Sequence, residues 1–92
     1  NCAAYNLVDR AEEFPWEAIR VNLGGIANLV FACKKYKVFL VHYSTDYVFD
    51  GKNYKPYNEN DKTNPVNFYG YTKFLGEEAL TDSGTKGIIV RT

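Results

Sequence analysis

The chain has 92 residues, of which 46% are hydrophobic and 16% aromatic, so it can form one modest core and is one domain or part of one. Its eleven Lys and Arg balance its eleven Asp and Glu, and this formal neutrality argues against nucleic acid or an anionic membrane as a partner. Cys2 and Cys33 lack metal-ligand spacing, and no apolar run is long enough to span a membrane. We therefore expect no metal site, reduced thiols and a cytoplasmic location.

The first predicted element is a long amphipathic helix. Pro15 suits its first turn, because the N–H that proline lacks would have no partner there. Apolar residues then recur at helical spacing from Trp16 to about Tyr36. Gly24 and Gly25 lie within this pattern, and each weakens a helix by about 1 kcal/mol relative to alanine. The pair indicates close backbone packing or a bend, or is simply tolerated.

Two strands and a second helix are predicted after it. The segment from Lys37 to Ser44, KVFLVHYS, is a nearly continuous apolar run, as expected of a central parallel strand covered on both faces. A polar loop follows, and a second helical pattern runs from Asn67 to Leu80. The segment GIIVRT then reads as another short buried strand. This order predicts an α/β fold with a parallel sheet.

Polar side chains lie where the first predicted strand ends, at Ser44, Thr45 and Asp46. Catalytic groups of open α/β sheets gather beyond the carboxyl ends of the strands. Tyr69 and Lys73 lie about one turn apart on one face of the second helix. A cation favours the phenolate and a hydroxyl can hold a substrate oxygen, so Thr45, Tyr69 and Lys73 suit carbonyl reduction. The tyrosine and lysine spacing alone is weak evidence, because many helices carry such a pair by chance.

Five segments, taken in order, resemble motifs of the dTDP-4-dehydrorhamnose reductase family, within the extended short-chain dehydrogenase/reductases. They are NCAAYNLVDRAE, VNLGGIANL, LVHYSTDYVFDG, PYNENDKTNPVNFYGYTKFLGEEA and IIVRT. The resemblance covers nearly the whole chain, and STDYVFDG together with YGYTK is highly specific. It implies a Rossmann-like doubly wound parallel sheet and NAD(P)H-dependent reduction of the 4-keto group of dTDP-4-dehydro-6-deoxy-L-mannose to dTDP-L-rhamnose. The expected partner is a nucleotide-sugar, the expected cofactor NADPH or NADH, and a homodimer is compatible with the family.

The resemblance also implies roles for single residues. Tyr69 would donate the proton, Lys73 would lower the pKa of Tyr69 and contact the nicotinamide ribose, and Thr45 would position the keto oxygen. The residues implied to contact the cofactor are Ala3, Ala4, Tyr5, Tyr69 and Lys73. The residues implied to contact the substrate are Thr45, Asp46 and Tyr47.

Four other residues have structural interpretations. Asn22 matches the helix asparagine of the family, and a helix-bend or hydrogen-bonding role competes there with a catalytic one. His42 lies on the apolar strand and is interpreted as a satisfied core histidine. Asp9 and Glu12, in the VDRAE motif, are expected to orient the loop or cap the first helix rather than bind a metal.

The dinucleotide-binding loop of the family is expected to lie before this segment, because no G-x-G-x-x-G occurs within it, and a substrate-binding portion is expected after it. Residues 1–92 are therefore interpreted as a partial dinucleotide-binding domain that carries the catalytic segment and is inactive alone. Two alternatives stay open. One is a non-catalytic regulatory subunit similar to the β subunit of methionine adenosyltransferase, and the other is a related nucleotide-sugar epimerase or dehydratase. The VDRAE motif favours the reductase over the regulatory subunit.

Overall fold

Helices and parallel strands alternate along the chain, which confirms the predicted α/β class. The computed structural model describes residues 1–92. Its elements are α1 (Val8–Glu13), α2 (Pro15–Ile19), a π-helical turn (Arg20–Gly24), α3 (Gly25–Tyr36), β1 (Leu40–Ser44), a 3₁₀ turn (Asp46–Val48), α4 (Phe68–Asp82) and β2 (Gly87–Arg91). None of the helices is both long and apolar enough to cross a membrane.

The first predicted helix is present but is not regular. It runs through residues 15–36 as α2, the π-helical turn and α3. A Cβ added to Gly25 would meet nothing within 4 Å, and one added to Gly24 would meet only the carbonyl oxygen of Ile19, at 4.0 Å. Close packing therefore does not explain the two glycines. The irregularity is the π-helical turn, which places Asn22 in the interior.

The VDRAE segment forms a helix of its own, α1, which was not predicted. Asp9 lies in its first turn, but no side chain caps this helix. Instead, the Oε1 atom of Glu12 accepts a hydrogen bond of 2.6 Å from the backbone N–H of Phe68, at the start of α4. Of the two roles expected for Asp9 and Glu12, orienting the loop or capping the first helix, the capping role is therefore not observed, and Glu12 instead bonds to the start of the helix that carries Tyr69.

Strand β1 is hydrogen-bonded on both of its edges. It pairs in parallel with β2, with Leu40 opposite Gly87. On the other edge, the amino group of Asn1 donates to the carbonyl oxygen of Val41, and the N–H of Tyr43 donates to the carbonyl oxygen of Asn1 at 3.2 Å. This arrangement agrees with the central position predicted for the strand.

Strand β1 begins three residues later than predicted. Lys37 has a left-handed conformation, with φ at 56°, and ends α3. Its N–H and that of Val38 bond back to carbonyl groups in the last turn of the helix. The strand itself begins at Leu40, because residues 37–39 are used to leave the helix and turn the chain.

The core lies between the helices and one face of the sheet. It consists of Ile26 and Val30 from α3, Leu40 from β1 and Leu80 from α4. On the opposite face Tyr43 is 43% exposed and Ile88 is 50% exposed, so within this chain the strands are covered on one face only. The buried side of α4 packs against β1 on the covered face of the sheet, and the candidate site lies near the carboxyl end of this strand.

Candidate active site

The turn after β1 fixes the Thr45 hydroxyl at the end of the strand. Thr45 caps the 3₁₀ turn, and its Oγ1 atom accepts a hydrogen bond of 3.2 Å from the N–H of Tyr47. The same hydroxyl donates to Oδ1 of Asp46 at 3.3 Å. Thr45 is buried, and its side chain lies in the turn beside α4. The predicted position at the carboxyl end of a strand is therefore observed.

The start of α4 is held against this turn by its own capping residue and by a glycine. Asn67 accepts a hydrogen bond of 2.7 Å from the N–H of Gly70 through its Oδ1 atom, as an N-cap residue does. A Cβ on Gly70 would overlap the carbonyl oxygen of Tyr47. The absence of that Cβ lets the first turn of α4 approach the turn after β1. Tyr69 is thereby placed beside Thr45.

Tyr69 lies among the residues that the sequence predicts for the substrate. Its ring meets that of Tyr47 edge to face, with centroids 5.8 Å apart and planes at 88°. Burial raises the pKa of Tyr69, the neighbouring Thr45 side chain opposes this, and the charge of Asp46 adds to the rise. The phenol is therefore kept protonated. The expected lowering of this pKa by Lys73 is not found in the structure.

Lys73 lies one turn further along α4, and its ammonium group is directed at the end of β1. The residue is 3% exposed, and Nζ donates a hydrogen bond of 2.6 Å to the backbone carbonyl of Tyr43. Burial lowers the pKa of Lys73, and the carboxylate of Glu77 opposes this effect. Within the chain, the hydrogen bond of Lys73 therefore goes to the strand and not to Tyr69.

Asn22 connects the N-terminal loop to α4. Its Oδ1 atom accepts from the N–H of Tyr5 at 2.8 Å, and its Nδ2 group donates to the carbonyl of Tyr5 at 3.0 Å. Nδ2 also donates to Oγ1 of Thr72, at 3.0 Å. The side chain thus uses its amide to hold the loop next to Lys73, which supports the hydrogen-bonding interpretation of this asparagine.

The residues predicted to contact the cofactor include two small side chains of the N-terminal loop and the ammonium group of Lys73. Ala3 is exposed and Ala4 is half-buried, so neither side chain obstructs the loop. Ala3 contributes its N–H to Oδ1 of Asn1, at 3.1 Å. The ammonium of Lys73 has three donors, of which one bonds within the chain. The remaining donors fit the hydroxyl groups of a ribose, so the residues present are compatible with NAD(P)H.

His42 is a core histidine whose hydrogen bonding is incomplete. It is 1% exposed, and its Nδ1 atom lies 3.2 Å from Nδ2 of Asn1. The Nε2 atom is buried and has no partner. Burial, reinforced by the neighbouring charge of Lys73, lowers the pKa of His42 to about 4. The imidazole is therefore neutral at physiological pH, and the expectation of a satisfied core histidine holds for one ring nitrogen only.

The loop after the 3₁₀ turn is ordered around the carboxylate of Asp50. It accepts hydrogen bonds from the N–H of Lys52, the amide of Asn64 and the hydroxyl of Tyr57. These bonds lower the pKa of Asp50 to about 2. A cleft of about 600 Å³ beside this loop is lined by Asp46, Phe49, Tyr57, Asn58, Glu59, Ile89, Val90 and Arg91. It adjoins the Thr45 turn through Asp46, and none of Thr45, Tyr69 and Lys73 lines it.

Several positioning residues were missed by the sequence analysis. Asn67 carried a usable signal, because an asparagine directly before a helical pattern is a preferred N-cap. Glu77 carried one too, since it follows Tyr69 and Lys73 at the same four-residue interval. The capping of α4 by Glu12 carried none, because 56 residues separate Glu12 from its partner.

The fold and the site together define the class of protein. A Rossmann-like parallel sheet with a hydroxyl at a strand end and a Tyr-x-x-x-Lys pair on the following helix is the arrangement of a short-chain dehydrogenase/reductase domain. Residues 1–92 match the family model described as the RmlD substrate binding domain, and the chain belongs to this family. The family resemblance found in the sequence is thereby confirmed.

Proteins similar to this chain are named as nucleotide-sugar enzymes. A dTDP-4-dehydrorhamnose reductase of Mycolicibacterium smegmatis is 46% identical over 93 residues, which are 100% of this chain and 28% of that protein. The structure of a dTDP-4-dehydrorhamnose reductase from Bacillus anthracis in complex with NADP matches at 39% identity with a TM-score of 0.94, covering 98% of this chain and 32% of that one. A UDP-glucose 4-epimerase from Brucella ovis in complex with NAD matches at 28% identity and a TM-score of 0.90, covering 99% and 30%. The chain therefore spans about 30% of the length of these proteins.

Proposed function

We propose that this chain carries the catalytic segment of an NAD(P)H-dependent reductase that converts the 4-keto group of dTDP-4-dehydro-6-deoxy-L-mannose to the alcohol of dTDP-L-rhamnose. The observation that carries the proposal is the placement of Tyr69 beside Thr45 at the end of β1, with Lys73 buried one turn away. The reductase names of the similar proteins support the substrate class.

The proposed mechanism assigns one task to each of the three side chains. Tyr69 is protonated, because its pKa is raised, and it donates its proton to the oxygen of the substrate carbonyl. The Thr45 hydroxyl turns from Asp46 to hydrogen-bond the same oxygen and orients it. The buried ammonium of Lys73, which bonds to the Tyr43 carbonyl through one of its donors, is assigned the contact with the nicotinamide ribose. The cofactor, when bound, supplies the hydride.

The residues around this trio are proposed to hold the two ligands. The N-terminal loop at Ala3, Ala4 and Tyr5 lines the cofactor, with Lys73 and Tyr69 on the other side, and the bonds of Asn22 to Tyr5 support a fixed loop position. Asp46 and Tyr47 contact the sugar. The ring of Tyr47 is 45% exposed and lies edge to face on Tyr69, so a sugar placed against it is close to the proton donor.

The proposal is tested by product identification with the intact protein that contains this chain. It is incubated with dTDP-4-dehydro-6-deoxy-L-mannose and either NADPH or NADH, and the product is compared with dTDP-L-rhamnose by chromatography and NMR. We expect stoichiometric oxidation of the reduced cofactor. No turnover, together with copurification of a methionine adenosyltransferase, would replace the reductase by the regulatory subunit.

A second candidate is a nucleotide-sugar 4-epimerase, which the structural match to the Brucella ovis enzyme favours. The same Tyr-x-x-x-Lys chemistry would then act on a UDP-sugar. The two candidates differ in cofactor balance, because an epimerase interconverts sugars without net consumption of the cofactor. Screening UDP-glucose and UDP-galactose in the same assay separates them.

The proposal also covers the domain organisation, the location and the oligomeric state of the protein. Residues 1–92 are proposed to be part of a dinucleotide-binding domain and to have no reductase activity alone. A cytoplasmic location is supported by two cysteines that form no disulfide, Cys2 and Cys33. The protein is proposed to act as a homodimer, which size-exclusion chromatography with light scattering tests directly.

A further inference from the structure

Helix α4 carries a third ionisable group in line with Tyr69 and Lys73. Glu77 follows Lys73 by one turn, so its side chain lies on the same face of the helix. It is 2% exposed, although a carboxylate is seldom buried without a partner. The burial of a carboxylate two turns from the proposed proton donor indicates that its charge is used within the protein.

The carboxylate of Glu77 is held by Arg91, at the end of β2. The guanidinium donates through Nε to Oε1 and Oε2, at 3.1 and 3.2 Å, and through Nη2 to Oε2, at 2.6 Å. This two-pronged contact fixes the orientation of the carboxylate as well as its charge. The negative charge of Glu77 therefore has a fixed position one helical turn from Lys73.

Arg91 is in turn supported by an aromatic pair from the loop after β1. Its guanidinium carbon lies 5.1 Å from the centre of the Phe49 ring, and Phe49 stacks on Tyr57 with centroids 4.2 Å apart. Phe49, Tyr57 and Arg91 all line the cleft next to Asp46. The ion pair thus connects one wall of this cleft to the face of α4 that bears Lys73.

The titratable groups around Lys73 come from β1, β2 and α4. From β1 comes His42, which is neutral above about pH 4. From β2 comes Arg91, already paired, and from α4 itself comes Glu77. Glu77 is the one anion that acts on Lys73, and its effect opposes the loss of charge that burial favours.

We propose that Glu77, buried one turn from Lys73 on the same helix face and oriented by Arg91, is a positioning residue that keeps the buried Lys73 ammonium charged. The inference deepens the proposed reductase function and rests on it for its catalytic meaning. Its electrostatic content can be measured without turnover. Without the carboxylate, Lys73 would lose its proton at a lower pH, and the charged contact proposed between its ammonium and the cofactor ribose would be lost there.

The test compares Glu77→Gln with Glu78→Gln in the intact protein. Glu78 is exposed on the adjacent position of the helix, so its variant controls for the removal of one carboxylate. The pKa of Lys73 is measured by NMR on lysine labelled at Cε, with the resonance assigned by its loss in Lys73→Arg. We expect the pKa of Lys73 to fall by about one unit in Glu77→Gln and to stay unchanged in the control.

The pH profile of kcat/KM supplies the catalytic readout. Its alkaline limb should move by about one pH unit to lower pH in Glu77→Gln, with kcat/KM retained below the limb, and Glu77→Asp should restore much of the profile. A purely structural role would lower Tm and leave both the limb and the pKa of Lys73 in place. That result would overturn the inference.

A second variant covers the case in which Glu77→Gln does not fold. Arg91→Gln removes the competing cation and leaves the carboxylate, so the pKa of Lys73 should rise, the opposite sign to the first variant. A pKa that is unchanged or lower in Arg91→Gln would contradict the inference. An inactive wild-type protein would contradict the proposed function alone, because the NMR measurement still tests the effect of Glu77 on Lys73.

Discussion

Gly70 and Tyr47 are in direct backbone contact, since a Cβ on Gly70 would overlap the carbonyl oxygen of Tyr47. This contact joins the first turn of α4 to the 3₁₀ turn after β1. One side of it carries Tyr69 and the other side carries Thr45. The distance between the proposed proton donor and the proposed orienting hydroxyl is therefore set by a glycine that contacts no ligand itself.

Replacing this glycine should separate the two elements. In Gly70→Ala the new methyl group must displace the backbone of Tyr47, and such overpacking costs about 1–3 kcal/mol. We expect a loss of stability of this order in urea unfolding and a lower kcat. Gly25→Ala is the matched control, because its Cβ would meet nothing within 4 Å, and helix propensity should then stabilise the protein by up to about 1 kcal/mol. Equal effects of the two variants would argue against the contact.

The left-handed residue Lys37 offers a stabilising substitution. It ends α3 with φ at 56°, a conformation that costs an L-residue about 1–2 kcal/mol and costs glycine much less. Lys37→Gly should therefore raise the free energy of unfolding by about 1 kcal/mol. Lys35→Gly, inside the last turn of the same helix, should lower it by up to about 1 kcal/mol. Urea titrations of both variants show whether the signs are opposite.

The buried imidazole of His42 predicts a pH dependence of stability. Its pKa falls from 6.5 to about 4 on folding, so between these values the unfolded chain binds a proton that the folded chain does not. Above about pH 6.5 neither state binds this proton, and His42 does not lower the free energy of unfolding. As the pH falls from 6.5 towards 4, proton binding by the unfolded chain progressively lowers the free energy of unfolding. Wild-type protein and His42→Gln are compared by urea unfolding across this range. The difference between them should shrink or reverse in acid, and a constant difference would contradict the assignment.

The amide of Asn22 should matter for the cofactor loop rather than for the helix in which it lies. Asn22→Ala leaves the N–H and carbonyl of Tyr5 without their partner, and a buried polar group left in this way costs about 1–3 kcal/mol. We expect weaker NADPH binding, measured by fluorescence titration, along with lower stability. Asn28→Ala, at an exposed position of α3, should change neither to this extent. NADPH affinity unaltered in Asn22→Ala would remove the loop from the cofactor site.

The order and type of most elements could be predicted from periodicity, and Leu40 in β1 and Leu80 in α4 are buried as expected. The expectation that GIIVRT is a buried strand is wrong within this chain, since no residue of β2 is fully buried and Ile88 is 50% exposed. The buried face of α4 also consists mainly of residues outside the apolar pattern, namely Gly70, Thr72, Lys73, Gly76 and Glu77. Strand β1 started late because the departure of the chain from α3 uses Lys37, which a hydrophobic pattern does not report. The π-helical turn was not predicted either, because its inward asparagine bonds to Tyr5 and Thr72, far away in sequence.

The candidate site was predictable in its residues and not in its electrostatics. The hydroxyl, tyrosine and lysine came from their positions at a strand end and on one helix face. The sequence gives no measure of burial, so it did not indicate that the pKa of Tyr69 is raised and that Lys73 bonds to the carbonyl of Tyr43. It likewise did not indicate that Glu77 is the anion that offsets the burial of Lys73.

The central claim is that Tyr69 is the proton donor, and Tyr69→Phe in the intact protein tests it most directly. The change keeps the aromatic ring and its contact with Tyr47 and removes only the hydroxyl. Tyr71→Phe removes a hydroxyl from an exposed neighbour on the same helix and serves as the control. We expect kcat for the dTDP-4-keto-sugar to fall by about 10²-fold or more in Tyr69→Phe, with Tm and the activity of Tyr71→Phe close to wild type. Near-normal turnover by a folded Tyr69→Phe protein would contradict the account.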